Sequence, residues 1–169
     1  TSELERLEKL EEGIDLASQA WCDDSRASQV VDVHDGDTIT LSAGSEKIRF
    51  LDVAAPEVEK LGEPAECFGN ESAAFLRSVL EEETIILEFD VECEDMYSRT
   101  LAWVFLEGSD PWIAGMMDQY DLPGLMEDGS YSLLVNELLV RGGYAEIFEG
   151  DVAQNIRYSE RMKEAEEEA

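Results

Sequence analysis

Basic residues are scarce in this chain of 169 residues: Lys and Arg number 12 against 41 Asp and Glu, for a net charge of −29. Such a charge repels polyanions at long range and excludes the broad basic footprint by which nucleic-acid-binding surfaces usually gather their ligand. Any phosphate chemistry must therefore be local. The plain reading of the acidity is solubility, including in a salty medium where screening shortens self-repulsion. Histidine occurs once, at His34, and the three cysteines, Cys22, Cys67 and Cys93, have no CxxC spacing, so a zinc site is not expected. The cysteines allow one disulfide and a leftover thiol if the protein is exported, or three thiols if it is not. No apolar run reaches the roughly 18 residues of a membrane span, so no transmembrane helix is expected. The chain opens on Thr1 rather than Met, and removal of an upstream signal or anchor fits that start.

What is present suits one domain, since 44% hydrophobic residues in a chain of this length can form a single sizeable core. Leu4, Leu7, Leu10, Ile14 and Leu16 recur at helical steps and predict an N-terminal amphipathic helix, interrupted at Gly13, that serves packing. From Val30 to Val53 the pattern is β-rich, broken by "HDGD" and "SAGSE", which predicts two or three strands. "GNESAAFLRSVLEEE" predicts a helix with Asn70 as N-cap and an apolar face of Ala73, Phe75, Leu76, Val79 and Leu80. "TIILEFDVE" and "RTLAWVFLE" read as a strand pair, with Tyr97 and Arg99 at the start of the second strand. A short helix closed by Gly142 and Gly143, a short strand and a last amphipathic helix follow, so about five strands and three helices are expected. Between them, residues 108–131 form an excursion of a length expected of a lid, a binding surface or a small helix. Its Trp112, Ile113, Met116, Met117, Tyr120 and Leu125 would mark a partner surface if exposed, and packing against the body is the plainer expectation.

Charges interrupt the apolar runs at particular places. Asp35-Gly36 suits a tight turn, and Asp37 then opens a strand on the face of Ile39 and Leu41. Alone, that is a hairpin turn with solvated aspartates. Arg49 shares strand parity with Leu51 and Val53, and a guanidinium on an apolar face needs an anion. Glu57 follows Pro56, which holds the preceding backbone extended and can fix the carboxylate at a loop mouth. Two arginines and two or three carboxylates at strand ends could hold a phosphodiester and a divalent cation, and ligands without His or Cys suit Ca²⁺ or Mg²⁺.

The order "DGDT", "RFLDVAAPE", "CFGNESAAFLRSVL", "DMYSRTLAWVF", "LLVNELLVRGGYA" resembles the staphylococcal nuclease-like (thermonuclease-like) family from about Val30 through Tyr144. The resemblance implies an α+β, mainly β fold: a five-stranded OB barrel with about three packed helices. It divides the chain into an N-terminal helical extension at 1–24 and a domain at 25–169 with an insertion at about 108–131. It implies a metal-dependent nuclease that hydrolyses DNA or RNA phosphodiester bonds with Ca²⁺, Mg²⁺ being the less suited ion. The N-terminus and the cysteines suit a secreted or cell-envelope location, and a monomer is expected. Carried over by position, Asp37 is the first metal carboxylate and Asp35 its neighbour in the pocket. Arg49 and Arg99 grip the scissile phosphate, Glu57 is the general base and Tyr97 lines the nucleotide pocket. Asn136 and Glu137 match a structural motif. The resemblance also favours Cys67 pairing with Cys93, leaving Cys22 odd.

Departures from the family pattern qualify that expectation. The second metal carboxylate should stand three residues before Glu57, where this chain has Ala54. Asp52 occupies a position that is usually glycine and is a displaced-ligand candidate, although two residues along a strand is about 6.5 Å. Ser98 likewise replaces a common glycine, and "EIFEGD" argues against strong nucleotide stacking. The alternative reading is a catalytically inactive OB module that binds nucleic acid or a protein partner, favoured by Ala54 and the net charge.

Overall fold

A computed structural model describes residues 22–58, 63–148 and 157–169. The predicted N-terminal helix lies outside the described residues. Two long strands do most of the architectural work. β1 (Arg26–Asp35) pairs through its first half with β5 (Thr84–Glu88) and through its second half with β2 (Thr38–Leu41). Register shifts at Val30/Asp32 and Val33/Asp35 bend it between the two partners. β6 (Thr100–Gly108) pairs in turn with β3 (Lys47–Phe50), with β5 and with β7 (Tyr131–Leu134). The β3–β6 pairing is parallel and closes the ring β1-β2-β3-β6-β5, a five-stranded barrel of the expected α+β class. A separate ribbon joins β4 (Val53–Ala54) to β8 (Glu146–Ile147).

Alternation along the strands fills the barrel with Val30, Val33, Ile39, Leu41, Ile48, Phe50, Ile85, Leu87 and Trp103. Four helices are present among the described residues: α1 (Gly69–Leu80), α2 (Pro111–Gln119), α3 (Val135–Arg141) and α4 (Ser159–Glu168). α1 buries Ala73, Leu76, Val79 and Leu80, as its periodicity predicts, while Phe75 is half-buried and stacks on Tyr144 with centroids 3.8 Å apart. Its N-cap is Phe68 in a left-handed conformation, not Asn70, which lies inside the first turn. The excursion takes the plainer of its expected fates: α2 sends Ile113 and Met117 inward, with Leu122 behind them. Trp112, Leu125 and Met126 remain exposed.

α3 is short but buried along Val135 to Val140, and its two polar residues hold the fold together. Asn136 accepts a bond from Val104 N–H (2.9 Å) and donates to Leu51 C=O (2.9 Å) and Ala102 C=O (3.4 Å), so one amide ties the end of β3 to β6. Glu137 receives Arg161 of α4 through both oxygens, at 2.8 and 3.1 Å. Buried Asp90 is matched similarly by Trp103 Nε1–H and by Arg157 N–H, at 2.9 and 3.0 Å. Asn136, Glu137 and Asp90 therefore each have partners, as burial requires.

The disulfide differs from the pairing that the resemblance favours. Cys22 bonds to Cys93, and Cys67 is an exposed free thiol. The local cause is that Cys22 N–H donates to Asp90 C=O at 3.0 Å, which lays the entry to β1 beside the 90–93 loop and sets the two Cα atoms 5.5 Å apart.

Two stability predictions follow from these contacts. Asn136→Ala leaves a buried N–H and two carbonyls without their partner and should cost roughly 3 kcal/mol in urea unfolding; a cost under about 1 kcal/mol would show that the amide does not bridge β3 and β6. Opening the 71-residue Cys22–Cys93 loop should cost about 4 kcal/mol by chain entropy, read as a fall in melting temperature for Cys22→Ser that Cys67→Ser does not share.

Candidate active site

At the barrel mouth the chain brings together the turn after β1, the end of β3 and the loop before β6. Asp35 and Asp37 flank Gly36, and both are buried, at 5% and 6% exposure. Asp37 N–H donates to Asp35 Oδ1 at 3.1 Å, folding the turn on itself. Gly36 is required by space: a Cβ there would sit 2.7 Å from Ala55 Cβ and 2.9 Å from Ser72 Cβ. The close approach lets Ala55 N–H donate to Asp37 Oδ2 at 2.8 Å, while Thr38 Oγ1–H donates to Asp37 Oδ1 at 2.9 Å.

Arg49 meets this group, its Nη2 lying 3.3 Å from Asp37 Oδ2 and its Nη1 donating to Phe50 C=O at 2.9 Å. The strand parity differs from expectation. Ile48 and Phe50 face the core and Arg49 faces away from it, because a turn at 51–52 with Asp52 at φ 59° resets the alternation before Val53. The anion that a half-buried guanidinium needs is present nonetheless, as Asp37.

Arg99 arrives from the other side. It and Tyr97 lie in the loop that precedes β6, not in the strand, which starts at Thr100. Arg99 Nε donates to Asp95 Oδ2 at 2.6 Å, and its Nη1 reaches Thr38 Oγ1 at 3.4 Å. Burial works against the charge on Asp95, but the Arg99 and Tyr97 N–H groups and the Arg99 guanidinium offset it and hold its carboxyl below the ordinary value. Tyr97 is exposed, with Arg99 over its ring at 5.3 Å. Arg49 has the matching arrangement with the exposed ring of Phe148, at 5.7 Å. Each arginine thus stands between a carboxylate and an aromatic face. Asp95, Thr38 and Phe148 were not singled out by sequence. Asp95 was findable, being four residues before Arg99 in a turn whose Ser98 has φ 62°, whereas Phe148 reaches Arg49 only through the tertiary fold.

Glu57 is exposed in the chain that follows β4, and its backbone C=O accepts Glu66 N–H at 2.9 Å. A Cβ at Gly69 would fall 2.0 Å from that carbonyl, so the loop is seated against the start of α1. Asp52 is turned by its positive φ, and its C=O accepts Phe148 N–H at 3.0 Å. Among the described residues no three His, Cys, Asp or Glu side chains converge on one point, so Asp52 does not complete a set with Asp35 and Asp37. The pair itself suits a hard cation. Two buried carboxylates with one nearby guanidinium carry unneutralised negative charge, and the donors are oxygens.

Burial raises the proton affinity of Asp37. Burial foremost, then the hydrogen bond with Asp35, push the Asp37 carboxyl up to about 6 against the pull of Arg49. Because the folded value lies above the unfolded one of 3.8, this group favours folding fully below about pH 4, and the contribution is lost as pH rises through about 6. In cation-free buffer the Asp37 carboxyl carbon should titrate near pH 6 by NMR. A midpoint near 4 would show that Asp37 is not desolvated at the barrel mouth.

A family model described as staphylococcal nuclease homologue matches residues 47–169. A thermonuclease of Staphylococcus intermedius is 37% identical over 76 residues, which cover 44% of this chain and 45% of that protein. One of Staphylococcus hyicus is 35% identical over 80 residues, covering 46% and 47%. An uncharacterised protein of Methanocaldococcus jannaschii is 27% identical over 159 residues, 82% of this chain and 67% of its own length. The chain spans about half the length of the thermonucleases it matches. With the family match running from β3 to the end of α4 on a closed five-stranded barrel, the chain belongs to the staphylococcal nuclease homologue family.

Proposed function

We propose that this chain is a metal-dependent nuclease that hydrolyses phosphodiester bonds of DNA or RNA at the mouth of the barrel. The observation that carries this reading is the convergence of both arginines on the Asp37–Thr38 pair: Arg49 lies 3.3 Å from Asp37, and Arg99 lies 3.4 Å from Thr38. Two guanidiniums, one from β3 and one from the loop before β6, beside a buried carboxylate pair, form a local anion site within a chain of net charge −29. Arg49 and Arg99 bind the scissile phosphate and offset the charge that grows on its oxygens. Asp37 and Asp35 hold a divalent cation, Ca²⁺ by their chemistry, with Mg²⁺ the less suited ion. When bound, the cation supplies further neutralisation of that charge. Glu57, at the loop mouth, takes a proton from the attacking water, and Tyr97 offers a ring for a base. Ala54 leaves the cation site a carboxylate short of the family pattern.

Residues 25–169 constitute the nuclease domain on this reading, with 108–131 inserted and 1–24 appended. The Cys22–Cys93 disulfide favours a secreted or envelope location, and the domain works as a monomer. A second reading, an inactive barrel that binds nucleic acid or a protein, is favoured by Ala54 and by the net charge of −29.

Single-stranded DNA offered with excess Ca²⁺, Mg²⁺ or chelator at mildly alkaline pH separates the two. Cleavage should need the cation, fall at least 100-fold in Arg49→Ala, as expected for loss of a charge-stabilising donor, and fall strongly in Glu57→Gln. Folded protein that cleaves nothing under any of these conditions would leave the binding module.

A further inference from the structure

Four aromatic rings form a continuous stack against α1. Phe75 lies on Tyr144 with centroids 3.8 Å apart and planes within 6°, and Tyr120 meets Phe75 edge-on at 6.4 Å. These three are half-buried and pack against the core, so the stack is anchored. Phe68 extends it beyond Tyr144, at 5.7 Å and 23°, and is 44% exposed.

The backbone that holds Phe68 is unusual. It is the N-cap of α1 at φ 69°, a left-handed conformation that is strained for a bulky side chain. Glycine would adopt it freely and is tolerated at an N-cap, and the Phe68 ring lies outside the core. An outlier of this kind, carrying an exposed ring, points to a task other than folding.

Its surroundings are those of the barrel mouth. Gly69, the next residue, stands so close to Glu57 C=O that a Cβ would fall 2.0 Å from it, while Gly69 N–H donates to Glu66 C=O and Glu66 N–H to Glu57 C=O. One turn along α1, Ser72 packs against Gly36 between Asp35 and Asp37, and its Oγ–H donates to Tyr144 C=O at 2.6 Å. The same helical turn therefore seats the ring stack, the Glu57 loop and the carboxylate turn.

We propose that Phe68 is a second base-binding platform, its exposed ring stacking a base of a single-stranded nucleic acid that flanks the nucleotide held at Arg49 and Arg99. The inference rests on the proposed phosphate-binding role of those arginines. Stacking uses a π-face that every base has and needs no added positive charge, which suits a strongly acidic chain.

The test is binding, at mildly alkaline pH with Ca²⁺, of a single-stranded DNA hexamer with phosphorothioate linkages, which keep the charge and resist cleavage. An end dye reports affinity by anisotropy, and 2-aminopurine placed at each position in turn reports stacking by quenching. The wild-type full chain should bind the hexamer, and Arg49→Ala should abolish binding. Phe68→Leu should weaken it about tenfold, within the range of one base–ring stack, and release the quench at one position. Phe68→Trp should keep both. Trp112→Leu, which removes a ring of similar exposure from α2, should change affinity by less than about twofold. If Phe68→Leu matches Trp112→Leu while Arg49→Ala still abolishes binding, Phe68 is no platform and the phosphate assignment stands. If the wild type does not bind the hexamer, or Arg49→Ala changes nothing, both the inference and the reading beneath it are overturned.

Discussion

The parallel pairing of β3 with β6 is the contact on which everything at the barrel mouth depends. It joins segments that are far apart in sequence, with Ile48 opposite Thr100 and Phe50 opposite Ala102. Without it the strands would form an open sheet, and Arg49 and Arg99 would lie on separate edges. Closing such a long loop carries an entropic cost that local interactions do not repay. The buried amide of Asn136 helps to offset it by bonding Leu51 on one side and Ala102 and Val104 on the other. A residue away from the barrel mouth thereby helps to set the distance between Arg49 and Arg99.

Electrostatics at that mouth is economical. In a chain with few cations, Arg49 and Arg99 are each held by a carboxylate and face an aromatic ring, so both are partly desolvated and oriented before any ligand arrives. Such pre-organisation is what a local anion site needs when the long-range field is repulsive. The cost falls on Asp35 and Asp37, which are buried with more negative charge than Arg49 neutralises.

Departures from the usual family sequence are structurally mild where glycine is replaced. Asp52 and Ser98 both keep the left-handed backbone at φ 59° and 62°, a conformation that short polar side chains tolerate.

Much of the barrel was legible because its signals are local. Period-two runs placed the strands, helical spacing placed α1, α3 and α4, and the Asp35-Gly36-Asp37 turn announced itself by composition. Arg49 was correctly read as needing an anion, but its facing was not, because the turn at Asp52 breaks the parity on which the reading relied. The disulfide partner of Cys93 and the aromatic face under Arg49 were beyond local reading. Each depends on strand register or loop approach between residues tens of positions apart. The sequence by itself determined which chemical groups this protein owns and which elements carry them, since both follow from composition and periodicity. Only the tertiary structure decided which of those groups meet, because barrel closure and the β4–β8 register are set by packing across the whole chain.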